Sequence, residues 1–218
     1  MKNVRVWFQK DGAARYISHL DLNRCMMRAL QRARLPVWYT EGFNPHPFAT
    51  FALPLSLGVR GLRESMDIKL LEEVPEAELI DRMNRVMPEG IHVFAVTEPQ
   101  MKPGRISYAL YQIALEAEGL APEKLCHTVG SLLAQPEILV EKRSKAGIRE
   151  VDLKEHLCRY EVRQTADGAE LGLTLPAGST TNVNPSLLLA EIEKAAGVPL
   201  YADTTRCALY NEEVEPFA

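Results

Sequence analysis

Val4, Val6 and Phe8 alternate with Arg5, Trp7 and Gln9, a period of two that predicts a strand with one buried face. The period then changes. Leu22, Cys25, Met26, Ala29, Leu30 and Ala33 fall on one helical arc that runs up to Pro36, and Ser18 with Asp21 three residues on fits an N-cap with an acidic first turn. After the turn-rich Gly42–Pro47 come strand patterns at Phe48–Leu55 and around Met66, Ile68 and Leu70. Pro75 suits the first position of a second helix, whose core face is Leu79, Ile80, Met83 and Val86 and which ends before Pro88. Ile91, Val93 and Ala95 supply a last strand. The order β-α-β-β-α-β is the split βαβ, or ferredoxin-like, arrangement.

The same order recurs. A strand from about Ile106 to Leu115 precedes a helix opened by Pro122 and closed before Pro136, and a strand follows at Ile138–Glu141. Strands near 158–164 and 169–175 flank Asp167-Gly168, a hairpin turn pair. Asn184 and Pro185 are good N-cap and N1 residues for a helix through Ala196, and Thr204–Tyr210 closes the set. The pattern therefore predicts an α+β protein of two tandem ferredoxin-like halves with antiparallel sheets. Residues 1–98 form the first half and 105–218 the second, divided where Pro99, Pro103 and Gly104 punctuate the chain. An extra strand candidate at 149–154 interrupts the second half.

Composition adds the class. With 46% hydrophobic and 25% charged residues the 218-residue chain reads as ordinary globular protein, long enough to bury a core. No run approaches the roughly 18 apolar residues of a membrane span. The opening MKNVRVWFQKDG lacks the apolar segment of a secretory signal, so a cytoplasmic protein without membrane association is expected. Cys25, Cys126, Cys158 and Cys207 stand far apart, without zinc-ligand spacing, which points to free thiols, and no metal or cofactor is expected. Charge is segregated: residues 1–60 carry nine Lys/Arg against three Asp/Glu, +6, and the remainder sixteen against twenty-six, −10. Such an imbalance predicts one anion-seeking surface, although a solvated helix face gives the same count.

Three segments concentrate the chemistry: Arg15-Tyr16-Ile17-Ser18-His19-Leu20-Asp21-Leu22, Gly42-Phe43-Asn44-Pro45-His46-Pro47, and Ala52-Leu53-Pro54-Leu55 leading to Leu57-Gly58. On these residues, dense over 4–98, the chain resembles the radical-SAM-linked protein family, whose members occur alone or C-terminal to a radical SAM enzyme. The resemblance implies a radical SAM protein as partner; taken with the charged first helix, it leads to the expectation of a non-catalytic RNA- or substrate-recognition module in RNA or ribosome-related modification. The chain lacks the CxxxCxxC triplet that ligates the iron-sulfur cluster of radical SAM enzymes, so it is not one itself. Its expected part is to bind or position the partner's substrate.

Glycine at 42 permits unusual backbone, and Pro45 and Pro47 stiffen the loop that carries Phe43, Asn44 and His46. The loop either presents those side chains or merely shapes entry to the next strand. His19, at a helix start, together with His46 and Arg15, suits a phosphate or acid-base chemistry. Arg24, Arg28 and Arg32 recur every four residues and form a basic stripe. Lys142, Arg143, Lys145 and Arg149 form a second cluster around Gly147. Two alternatives stand beside RNA recognition. One is a metal-independent endoribonuclease using His19 or His46, by fold analogy with CRISPR repeat-processing nucleases. The other is a scaffold that binds protein alone. Arg5 and Trp7, on the outward face of the first strand, invite comparison with an RNA-recognition sheet, but the expected neighbours Asp67 and Lys69 are not aromatic, so the sheet is expected to pack against the other half or to bind through its edges and loops.

Overall fold

A computed structural model describes residues 1–144, 147–178 and 181–218, with the side chains of 142–144, 148 and 149 outside the description. Two compact units divide the chain: residues 1–106 with 210–218, and residues 107–209. The tail after 209 thus clusters with the first unit, whereas the sequence pattern assigned it to the second half.

In the first unit the order is β1 (Lys2–Lys10), α1 (His19–Arg32), β2 (Ala49–Phe51), β3 (Arg60–Leu70), α2 (Glu76–Asn84) and β4 (Ile91–Thr97). β1 lies between β4 and β3, and β2 pairs with β3, all antiparallel. Val4, Val6 and Phe8 of β1 and Met66, Ile68 and Leu70 of β3 meet Leu22, Met26, Ala29 and Leu30 of α1 and Leu79 and Met83 of α2 in one core. Each fully buried Val, Leu, Ile, Phe or Met among them contributes about 1.5–3 kcal/mol. Strand Phe48–Leu55 shrinks to three residues, because Pro54 cannot donate to a ladder and the chain turns away toward Gly58. Pro75 stands one place earlier than expected, as the N-cap of α2.

The two helix ends brace each other. Arg82 of α2 donates from Nε to the Ala33 carbonyl at 2.9 Å and from Nη2 to that of Arg34, while Arg32 of α1 donates to the Val86 carbonyl at 2.6 Å. Cations thus meet the unsatisfied carbonyls at both C-termini, where the helix dipole favours them.

The second unit contains β5 (Tyr108–Ala117), α3 (Pro122–Leu133), β6 (Leu139–Ser144), β7 (Gly147–Asp152), β8 (Arg159–Gln164), β9 (Ala169–Pro176), α4 (Ser186–Ala196) and β10 (Leu200–Tyr210). Its strands run β10-β5-β9-β8, and β6 and β7 pair as a separate antiparallel hairpin. The extra strand candidate is therefore half of an inserted hairpin. Asp167-Gly168 does turn the chain, with the Thr165 N–H on the Gly168 carbonyl and the Gly168 N–H on Thr165 Oγ1. At α4 the N-cap is Pro185, and Asn184 Oδ1 accepts from the Ser186 N–H, one position from the expected frame. The class is α+β with antiparallel strand pairs, and among the described residues no helix is long and apolar enough to cross a membrane.

One sequence expectation fails clearly. Arg5 and Trp7 do not line an open face: they are 0% and 2% exposed. Arg5 forks onto Asp67 at 2.7 and 2.9 Å and onto the Met101 carbonyl at 2.6 Å. Phe217 covers both residues, with its ring centroid 4.1 Å from the Arg5 guanidinium carbon and 6.2 Å from the Trp7 ring centroid. Tail residues more than two hundred positions away close what strand alternation alone leaves open.

Candidate functional site

The first motif is assembled by backbone carbonyls. Asp11 Oδ1 accepts from the Gly12 N–H, which opens a short 3-10 turn over Gly12–Tyr16. The fully buried Lys10 then gathers the carbonyls of Arg15 and Ile17 with its Nζ. Arg15 and Gly58 clasp reciprocally, Nε to the Gly58 carbonyl at 2.7 Å and the Gly58 N–H to the Arg15 carbonyl at 2.9 Å. Two segments forty-three residues apart are thereby tied together. Arg15, expected to face an anion, directs its Nε into this clasp and its guanidinium carbon toward the Tyr16 ring at 5.5 Å.

Ser18 caps α1, its Oγ accepting from the Asp21 N–H and its hydroxyl donating to Asp21 Oδ2 at 2.7 Å. That bond, with a second from Arg24 at 3.0 Å, holds the Asp21 carboxyl below the usual aspartate range. Its contribution to the helix start is therefore present above that range and fades as pH falls through the folded value. His19 is half-buried, its ring edge-on to Phe51 at 5.2 Å.

The second motif is a small hairpin. The Thr40 N–H reaches the His46 carbonyl, the Phe48 N–H reaches the Trp38 carbonyl, and Tyr39 bridges to Pro47. Thr40 Oγ1 accepts from the His46 N–H at 3.2 Å, and His46 Nδ1 lies 3.1 Å from both Thr40 Oγ1 and the Asn44 carbonyl. A carbonyl can only accept, so this contact assigns a proton to Nδ1, and in the neutral ring Nε2 is then the acceptor. Gly42 has φ +122, Phe43 stands fully in solvent, and Asn44 and His46 are exposed while Pro47 is buried. The ring contact of His19 is with Phe51, and the hydrogen bonds of His46 lie within its own turn.

On α1 the stripe is real. Leu22, Met26, Ala29 and Leu30 are buried, and Arg24, Arg28 and Arg32 are exposed on the opposite side. The three are not equivalent: Arg24 is paired with Asp21 and Arg32 with the Val86 carbonyl. The pairing of Arg24 follows from helical spacing, since Asp21 stands three residues before it on α1, whereas the carbonyl that takes Arg32 comes from the segment after α2, which no helical pattern reveals.

The family described as an uncharacterized protein conserved in bacteria (DUF2344) matches residues 3–185. The chain belongs to this family. No curated protein matches this DUF2344 chain. Among solved structures it resembles a chain in a crystal structure of a Cbf5-Nop10-Gar1 complex, at 13% identity and a TM-score of 0.55. That match covers 96% of this chain and 50% of the other, so the DUF2344 chain spans about half the length of its structural relative. At this identity the likeness is one of fold. An unknown protein from Galdieria sulphuraria matches at 12% identity over 93% of this chain and 98% of its own, with a TM-score of 0.29.

Of the second basic cluster read from the sequence of the DUF2344 chain, Lys142, Arg143 and Arg149 lie on the inserted hairpin, where Lys142 pairs in register with Arg149 and Arg143 with Ile148. Lys145 lies outside the described residues. Among the described residues no group of three His, Cys, Asp or Glu is placed to hold a metal ion. Cys25, half-buried beneath the stripe, has its thiol pushed up by burial, a shift opposed by Arg32 and Arg28, and such a thiol is a poor nucleophile.

Proposed function

We propose that this DUF2344 protein is an RNA-recognition module without a reaction of its own, built from two ferredoxin-like halves and working with a radical SAM enzyme in RNA or ribosome-related modification. The fold part is supported by strand order: in each unit the strand before the first helix lies between the unit's last strand and a strand that also pairs with the remaining one. The radical SAM link is supported by the Ser-His-Leu-Asp and Gly-Phe-Asn-Pro-His-Pro residues alone. The observation that carries RNA recognition is the exposed arginine stripe of α1, on a chain whose residues beyond position 60 are acidic in balance. Guanidinium groups at one-turn spacing meet a phosphate backbone and release its counterions. Arg5 and Trp7 take no part in this reading, because Phe217 packs on both.

Two substitutions test the stripe in opposite directions. Arg28→Ala removes a cation and is expected to weaken RNA binding uniformly across sequences, lowering the salt slope by about one. Asp21→Asn removes the carboxylate that neutralises Arg24, and the expected result is affinity raised a few-fold at low salt. Equal affinity in wild type and both variants, by fluorescence anisotropy on structured RNA, would remove the stripe from the interface. Retention of a radical SAM protein with no RNA present would instead favour a protein-binding scaffold.

The acceptor Nε2 of His46 supports a second reading, a metal-independent endoribonuclease in which that nitrogen takes the 2′-hydroxyl proton. Cleavage unchanged in His46→Ala and in His19→Ala, assayed separately, would end it.

A further inference from the structure

We propose that the outer edge of β8 docks a second copy of this chain, whose own β8 adds antiparallel across a two-fold axis at Val162. The proposal concerns the second unit and does not depend on the RNA-recognition reading.

β8 ends the order β10-β5-β9-β8 and pairs with β9. The Thr165 N–H on the Gly168 carbonyl sets the parity of that ladder, so Arg159, Glu161 and Arg163 turn their backbone groups toward β9. Tyr160, Val162 and Gln164 turn theirs outward, and among the described residues no backbone N–H or carbonyl of these three has a partner. Five of the six β8 residues are exposed and Val162 is half-buried. The outer strand of the first unit is finished differently. There Asn84 of α2 takes the Val93 N–H on Oδ1 at 2.9 Å and donates from Nδ2 to the Val93 carbonyl at 2.8 Å, the two bonds a neighbouring strand would make. β4 is capped and β8 is bare, and a bare edge is a template for another strand.

The order of charges selects a second copy. Arg159, Glu161 and Arg163 share one face with alternating sign. A parallel copy in register would set like charge against like. An antiparallel copy must match outward residues with outward residues, so its axis falls on Tyr160, Val162 or Gln164. At Val162 all three find partners, Val162 with its counterpart and Tyr160 with Gln164 twice, for about six backbone bonds. At Tyr160 or Gln164 the axis leaves the other outward residues without a strand partner. The Val162 register also sets Glu161 opposite Arg163 of the second copy, and again by symmetry, at the positions between bonded pairs where side chains come closest. The Glu161 side chain is 74% exposed, with Arg163 of its own strand 3.9 Å away, and Arg163 is held on the strand by Glu170 at 2.7 Å.

The test sediments the chain between about 10 and 500 μM, the range over which pairing through one short strand is expected to dissociate. A monomer–dimer equilibrium is expected, with exchange of the Tyr160, Val162 and Gln164 amides slowing as the dimer fills. Glu161→Arg and Arg163→Glu each set like charges opposite at both symmetric positions, and each alone is expected to weaken the dimer roughly tenfold. Mixed in equal amounts, the two variants set opposite charges at both positions, so a heterodimer of near-native affinity is expected. Val162→Pro removes an N–H that points to solvent in the single chain, a change an edge strand tolerates, and is expected to abolish the dimer while the monomer stays folded. A chain that is monomeric throughout the range would overturn the proposal and leave the edge to a strand of another protein. So would a dimer that all three substitutions leave intact, since another surface would then hold it.

Discussion

Arg5→Ala is expected to lower the unfolding free energy by about 3 kcal/mol, read as a fall in the urea midpoint with an unchanged slope. The side chain is wholly buried and makes a bidentate bond to Asp67, so removing it strands a carboxylate that is only 18% exposed. It also withdraws the donor on Met101 and the cation beneath Phe217. The partial exposure of Asp67 lets water return to one side, which places the cost at the lower end of the 3–5 kcal/mol seen when one partner of a buried pair is deleted. Desolvation rather than attraction dominates this cost. A double change, Arg5→Met with Asp67→Leu, is therefore expected to recover most of the loss. Equal instability of the single and double variants would show that packing of the long side chain, and not the orphaned charge, is what matters.

Gly90→Ala is expected to cost about as much, about 3 kcal/mol, by a different route. Its φ of +84 is left-handed, which costs an alanine roughly 1–2 kcal/mol. An added Cβ would also lie 2.4 Å from the Asp11 carbonyl oxygen and 2.9 Å from the Ala14 Cβ, and overpacking of this kind costs about 1–3 kcal/mol. Neither neighbour can rotate away, because the Asp11 N–H is bonded to the Gly90 carbonyl at 2.7 Å and Ala14 sits in the 3-10 turn. Relief must move the turn that carries Arg15 and precedes the cap of α1. Gly12→Ala is the control, since φ +52 is also left-handed but nothing lies within 4 Å of the added atom. Thermal unfolding should rank Gly90→Ala well below Gly12→Ala, and only the former should also weaken RNA binding. Equal effects would trace the loss to backbone strain alone.

Local order was legible where one short window held all the information. The alternation of Val4, Val6 and Phe8, the arc from Leu22 to Leu30 and the Ser18 cap each depend on neighbours within a few residues, and each is found in the structure. What escaped depends on distant partners. The fate of Arg5 and Trp7 was set by Phe217, that of Arg15 by Gly58, and that of Arg32 by Val86. A long, solvated arginine reads identically in sequence whether its guanidinium meets water or a carbonyl across the fold. For the histidines, residue type and loop stiffness were readable, but the proton on His46 Nδ1 follows from the positions of Thr40 and Asn44 in the folded turn.

Affinity for structured RNA between 50 and 200 mM salt, compared for the native protein and an Arg24→Ala/Arg28→Ala variant, tests RNA recognition through α1 most directly. The native protein is expected to show log K falling against log salt with a slope on the order of −2, and the variant a slope shallower by about one, because Asp21 already neutralises Arg24. Retention of RNA with a slope near zero, or identical slopes for the two proteins, would contradict it.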